Sequence, residues 1–96
     1  MAGRTHGSQL LTASGAVGVA GKPKMIYSVT LISGATAGVL SLKDNGSSGT
    51  LYLAGTGTIN QGVTFNYQEG FFFPDDCYCT VDANTTSVLV SYEEYA

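Results

Sequence analysis

The stretch Met25-Ile26-Tyr27-Ser28-Val29-Thr30-Leu31-Ile32-Ser33 decides the fold. It has no glycine or proline and is dominated by β-branched and aromatic residues, which suit a pleated surface. Its period is two: Tyr27, Val29 and Leu31 fall on one face of an extended chain, and Ile26, Ser28, Thr30 and Ile32 on the other. A strand of this kind buries a face only against other strands, so the flanking sequence must supply them. It does so on both sides.

Downstream, Gly34 to Gly38 reads as a turn and Val39 to Lys43 as a second strand, with Leu40 and Leu42 on one face. Asp44-Asn45-Gly46-Ser47-Ser48-Gly49 is the strongest turn signal, because Asn-Gly supplies positive φ. Thr50 to Ala54 follows, with Leu51 and Leu53 opposite Tyr52. After a polar loop, Val63, Phe65 and Tyr67 alternate with Thr64 and Asn66, and Glu69-Gly70 is expected to turn the chain. In Phe71-Phe72-Phe73, Phe72 must point away if its neighbours point inward. Cys77, Cys79 and Val81 share a face of the next strand. Val88, Val90 and Tyr92 share a face of the last, which runs from Ser87 to Glu93. Six to eight short strands with frequent turns and no helical run define an all-β, single-domain antiparallel β-sandwich, jelly-roll-like in its density of turns.

Upstream the pattern weakens. Residues 1 to 9 are polar, and Leu10 to Ala20 is small, apolar and broken by glycine. Lys22-Pro23 marks a break, since proline cannot donate to a ladder. Residues 10 to 20 fit an irregular edge strand or an extended arm, and two parts are expected: residues 1–21 as an extended or flexible N-terminal arm, and residues 22–96 as the β-sandwich.

Composition narrows the function. Charged residues make up 11% of the 96, against roughly 25% in ordinary soluble domains. A chain with so few charges suits a protein largely covered by neighbours. The net charge of −3, with only Arg4, Lys22, Lys24 and Lys43 as firm cations, argues against nucleic-acid or anionic-membrane partners, which need clustered bases. There is no apolar leader core and no run long enough to span a membrane.

No catalytic constellation stands out. His6 is the only histidine and lies in the lead-in, so a nucleophile–histidine pair would have to recruit it from there. Asp75, Asp76, Asp82 and Asn84 read as turn chemistry, since their spacing matches no calcium loop. Gly55-Thr56-Gly57 lacks the Lys-Ser/Thr of a phosphate loop. The triplets starting at Asn45 and Asn84 fit a glycosylation pattern but read more simply as turns. Cys77 and Cys79 lie two strand rises apart, roughly 6.6 Å, at the upper edge of disulfide reach. They are expected as free, partly buried thiols; no second Cys pair or nearby His completes a zinc site. No catalytic, metal or cofactor residue is therefore assigned.

Interface residues are assigned instead. Tyr27, Tyr52 and Tyr78 are expected to face away from the core, as is Phe72, and exposed aromatics on an outer sheet face mark contact surfaces. Leu10, Leu11, Val17 and Val19 supply apolar contacts from the arm. Carbohydrate stacking on the same aromatics is the reading from a different functional class.

The stretch from Gly62 through Gly70-Phe71-Phe72-Phe73-Pro74-Asp75, Cys77-Tyr78-Cys79-Thr80-Val81-Asp82-Ala83 and Ser87-Val88-Leu89-Val90-Ser91-Tyr92-Glu93 resembles small bacteriophage virion proteins of about this length. Met25 to Leu31 and the Leu42-Lys43-Asp44-Asn45 turn resemble them too, so the likeness covers residues 25 to 94. It departs at Cys-x-Cys, where β-branched residues are more usual. The resemblance implies a non-enzymatic virion structural protein, a capsid decoration or cement module made in the host cytoplasm and placed on the capsid surface. It implies protein subunits as partners, the major capsid protein first, and a homo-oligomer with a trimer favoured. A neck, tail or head-fibre component is the alternative setting. The arm over residues 1–21 would order on contact and staple neighbours.

Overall fold

The computed structural model describes residues 4–46 and 48–95; Met1–Gly3, Ser47, Ala96 and the side chains of residues 4–6 lie outside that description. Eight strands form: β1 (Arg4–Leu11), β2 (Gly15–Ala16), β3 (Lys24–Ser33), β4 (Val39–Asp44), β5 (Thr50–Thr56), β6 (Gly62–Phe73), β7 (Tyr78–Val81) and β8 (Thr85–Tyr95). No helix occurs among the described residues.

The strands make two four-stranded sheets, β1-β8-β3-β6 and β2-β7-β4-β5, called here the long and the short sheet. The antiparallel pairs are nested: β1 with β8, β2 with β7, β3 with β6 and β4 with β5. The chain is thus one long hairpin rolled up on itself, the logic of a jelly roll. The added pairs β3–β8 and β4–β7 complete each sheet.

Between the sheets lies one apolar core. Ile26, Val29 and Leu31 of β3 and Val88 and Val90 of β8 enter from the long sheet; Leu40, Leu42, Cys77 and Cys79 enter from the short-sheet side. Phe73 is fully buried and Phe71 packs against the core, while Phe72 is 46% exposed, as strand alternation requires.

The N-terminal expectation needs correction. Residues 4–16 are not an arm apart from the sandwich. β1 pairs along its whole length with β8, from Arg4 opposite Tyr95 to Leu11 opposite Val88. Leu11 is buried and Val17 is wholly so. Gly7 sits so close beneath Tyr92 that an added Cβ would stand 2.8 Å from the phenol ring. A glycine in a polar stretch of sequence here makes room for a neighbouring ring.

Two local irregularities move other expectations. Glu69-Gly70 does not end a strand: β6 runs through it with an offset opposite Tyr27, and Gly70 takes φ +84°. A side chain there would be strained and would press on the Met25 thioether. The same bulge breaks alternation in β3, so that Ile26 rather than Tyr27 shares the core face with Val29 and Leu31. In β5 the register slips between Leu42 and Lys43, leaving Tyr52 as the extra residue. Tyr52 therefore turns inward onto Phe73 and Phe71, with ring centroids 5.1 and 5.9 Å away.

Candidate functional site

Neither a pocket nor a cluster of metal-ligating side chains occurs among the described residues. What the surface offers is flat. Three rows of residues cross the outer side of the long sheet. The first is Ser8, Ser91, Ser28 and Asn66; the second Leu10, Leu89, Thr30 and Thr64; the third is centred on Ile32, between Ser87 and Gly62. None of these residues is charged. Leu10 is 61% exposed, and Leu89 and Ile32 are also exposed. The Thr30 and Thr64 hydroxyls lie 2.9 Å apart and share one hydrogen bond across the β3–β6 pair.

Below these rows the same face becomes aromatic. Phe72 stands opposite Met25 and packs on Tyr95 at 5.9 Å between ring centroids. Glu93 lies beside them, opposite Met25 on β3, and is nearly buried. Its carboxylate accepts hydrogen bonds from the Tyr95 hydroxyl at 2.9 Å and the Tyr27 hydroxyl at 3.4 Å. The Glu93 carboxylate is thus covered by two phenols.

The residues assigned to an interface from the sequence divide in two. Leu10, Val19 and Phe72 are exposed, and Tyr27 is half-buried on the outer long-sheet face. Tyr78 is half-buried on the short sheet beside Lys43. Leu11 and Val17 instead belong to the core, and Tyr52 packs against it, so these three are corrected to structural roles. Sequence reading missed Leu89 and Ile32, although their positions alternate with buried Val88, Val90 and Leu31.

The other polar groups serve the fold. Lys24, one of the four firm cations, is wholly buried. Its ammonium donates to the carbonyls of Val19 and Lys22, each at 2.6 Å, and lies 3.5 Å from Asp76 and 3.7 Å from Glu94. Glu94 also accepts the Val19 N–H at 2.7 Å, and Gln9 accepts that of Gly18 at 2.6 Å. This cluster straps the segment between β2 and β3 over one end of the sandwich. Asp44 accepts the backbone N–H groups of Asp75 and Asp76 at 3.0 and 3.1 Å, and Asp82 accepts the Thr85 hydroxyl at 2.7 Å. The Thr85 hydroxyl holds the Asp82 carboxyl below its ordinary pKa. These aspartates do turn chemistry.

Cys77 and Cys79 are free and buried. Burial pushes the Cys79 thiol up to about 11 and the Cys77 thiol higher still, the second helped by the neighbouring Cys79. Neither is poised as a nucleophile.

No family model matches the chain, and no curated protein matches it in sequence. Its fold is similar to a solved structure described in the words "Bacillus endospore appendages form a novel family of disulfide-linked pili". The match covers 97% of this chain and 86% of that one, at a TM-score of 0.55 and 12% identity. At that identity the likeness carries the fold alone: an all-β sandwich of two antiparallel four-stranded sheets.

Proposed function

We propose that this protein is a non-enzymatic structural subunit that works by packing against other protein subunits. One observation carries the reading: the broad outer face of the long sheet presents Leu10, Ile32 and Leu89 among serines, threonines and an asparagine, without a charge in the three rows. Such a face is a poor boundary with water for a free monomer and a good one with another protein.

The setting we favour is the virion that the sequence resemblance implies. There the chain decorates the capsid, sits against the major capsid protein and adds contact area that stabilises the shell by mass action. A trimer is the oligomer that resemblance favours. The fold likeness to a pilus protein supports a second setting of the same kind, a repeating subunit of a surface appendage. In either setting we place the contacts among non-covalent ones, since both cysteines are inside the sandwich. Sedimentation of assembled particles or appendages from producing cells tests the proposal. The chain is expected in the pellet with them; a chain left wholly in the supernatant contradicts it.

A further inference from the structure

We propose that Lys24 and Asp76 join in an intramolecular isopeptide bond, formed by the folded chain itself with Glu94 as the proton carrier. The proposal stands apart from the structural-subunit reading, and either can fail without the other. Three observations carry it.

The first is placement. Lys24 opens β3 between two neighbouring strands, opposite Glu94 on β8 and Phe73 on β6. Asp76 follows Phe73 in the connection that leaves the long sheet for β7 of the short one. Lys24 and Asp76 are 52 apart in sequence, yet the fold brings the ammonium 3.5 Å from the Asp76 carboxylate and 3.7 Å from that of Glu94. The carboxyl carbon is at most about 1.2 Å beyond its oxygen, so a small shift gives the roughly 3–3.5 Å of a near-attack pair.

The second is that the groups are held and dry. The Lys24 side chain is wholly shielded from water. The Val19 and Lys22 carbonyls take two of its three ammonium protons and pin the nitrogen. On the other side, the Asp44 carboxylate accepts the N–H groups of Asp75 and Asp76 and fixes their turn. Gly18, at φ +65°, lets the strap lie directly on the pair: an added Cβ would stand 3.1 Å from Lys24 Cε and from the Tyr92 ring, and nearer still to the Glu94 carboxylate. Groups fixed in this way react as though at about 10⁵–10⁸ M, which is what a condensation in water otherwise lacks.

The third is the chemistry of the cluster. One ammonium faces two carboxylates, so one can react while the other carries protons. The ion pair is the state from which the reaction starts. Glu94 takes a proton from Nζ, a contact of the kind that tightens as reaction proceeds, and the freed amine attacks Cγ of Asp76. The Cys77 N–H, 2.8 Å from Oδ1, stabilises the negative oxygen of the tetrahedral intermediate. Oδ1 stays as the amide carbonyl. Oδ2 leaves as water, with the two protons that Nζ gives up and Glu94 relays. A C–N bond forms, a C–O bond breaks, nothing is oxidised or reduced, and Glu94 is regenerated. Two buried charges become one neutral amide, which removes the cost of holding an ion pair out of water.

The test is the intact mass of the purified full chain by mass spectrometry under denaturing conditions, followed by tryptic peptide mapping. Wild type is expected to be lighter than its sequence by one water. Mapping should show a branched peptide carrying both Lys24 and Asp76, with no cleavage after Lys24. Lys24→Arg and Asp76→Ala are expected at their full sequence masses. Glu94→Gln keeps an oxygen for the Val19 N–H but cannot carry the proton, so it is expected to be folded by circular dichroism and at its full sequence mass. A wild type at its full sequence mass overturns the proposal, whatever the variants do. So does a water loss that persists in K24R, which marks a cyclic imide at an aspartate, or a bond that forms undiminished in E94Q.

Discussion

The Lys24 ammonium lies 3.5 Å from the Asp76 carboxylate inside the sandwich, with the lysine side chain wholly shielded from water. A buried ion pair of this kind is costly to form and more costly to break on one side, because the surviving charge has no solvent to turn to. Lys24→Met leaves Asp76 and Glu94 facing an apolar stem and removes the donor to the Val19 and Lys22 carbonyls. The expected loss is about 3–5 kcal/mol of unfolding free energy, a large share of a small domain's total. Urea denaturation measures it; a loss below about 1 kcal/mol would show that the cluster is not holding the strap.

Removal of the first 21 residues is expected to unfold the protein rather than release a tail. It strips β1 from β8 and takes Leu11 and Val17 out of the core, uncovering Val88 and Val90. Loss of the cooperative thermal transition and of amide protection in β8 is the expected result. A truncated chain with a wild-type melting curve would contradict the placement of β1 and β2.

Gly7→Val is expected to destabilise by about 1–3 kcal/mol, the usual range for forcing atoms into a packed site. The added Cβ meets the Tyr92 ring at 2.8 Å, so either the ring or the strand must move. Faster hydrogen exchange along β1 with the rest of the sheet intact would identify strand release. An unchanged denaturation midpoint would contradict the contact.

The thiols give a pH signature. Cys79 titrates near 11 in the folded chain, above the ordinary thiol value of 9.0, and Cys77 is shifted further in the same direction. An unfolded thiol therefore loses its proton first as pH rises, and the unfolded state gains. Stability from this source is complete below about pH 9 and falls as pH rises from there through 11, by up to about 1.4 kcal/mol per pH unit for each thiol. Cys77→Ala/Cys79→Ala should flatten that slope, read by denaturant midpoints between pH 8 and 10.5. In native protein at pH 8, both thiols should react with a disulfide reagent only at the rate of opening. Immediate stoichiometric reaction would contradict their burial.

Much of this fold was legible as alternation. Val88, Val90, Leu40 and Leu42 point inward as period two requires, and Phe72 points outward between Phe71 and Phe73. The failures have local causes. Tyr52, and Ile26 beside the bulge at Tyr27, take the opposite side from the one alternation gives them, because one extra residue reverses the side a side chain takes and nothing in the alternating pattern marks the slip. β1 went unread because its inward positions are Gly7, Gln9 and Leu11, two of them without apolar bulk. Gly7 gives way to Tyr92, and Gln9 spends its amide on the Ala16 carbonyl and the Gly18 N–H. Nothing in the sequence marked Lys24 as buried, because a lysine held among carbonyls is created by tertiary packing, which local pattern does not encode. The outer face was half-legible: Leu10 and Phe72 were singled out, but Leu89 and Ile32 gained meaning only when pairing aligned them with Leu10 and Thr30.

Copy number on the purified assembly tests the structural-subunit reading most directly. Particles or appendages would be washed at about 1 M salt, where exposed charge contacts are screened within roughly 3 Å, and the chain quantified by mass spectrometry against the most abundant subunit. A face built of leucine, isoleucine, serine and threonine should hold through that wash, giving one constant ratio across preparations. A chain that washes away entirely, or that varies freely in amount while remaining a stable monomer in solution, would contradict the reading.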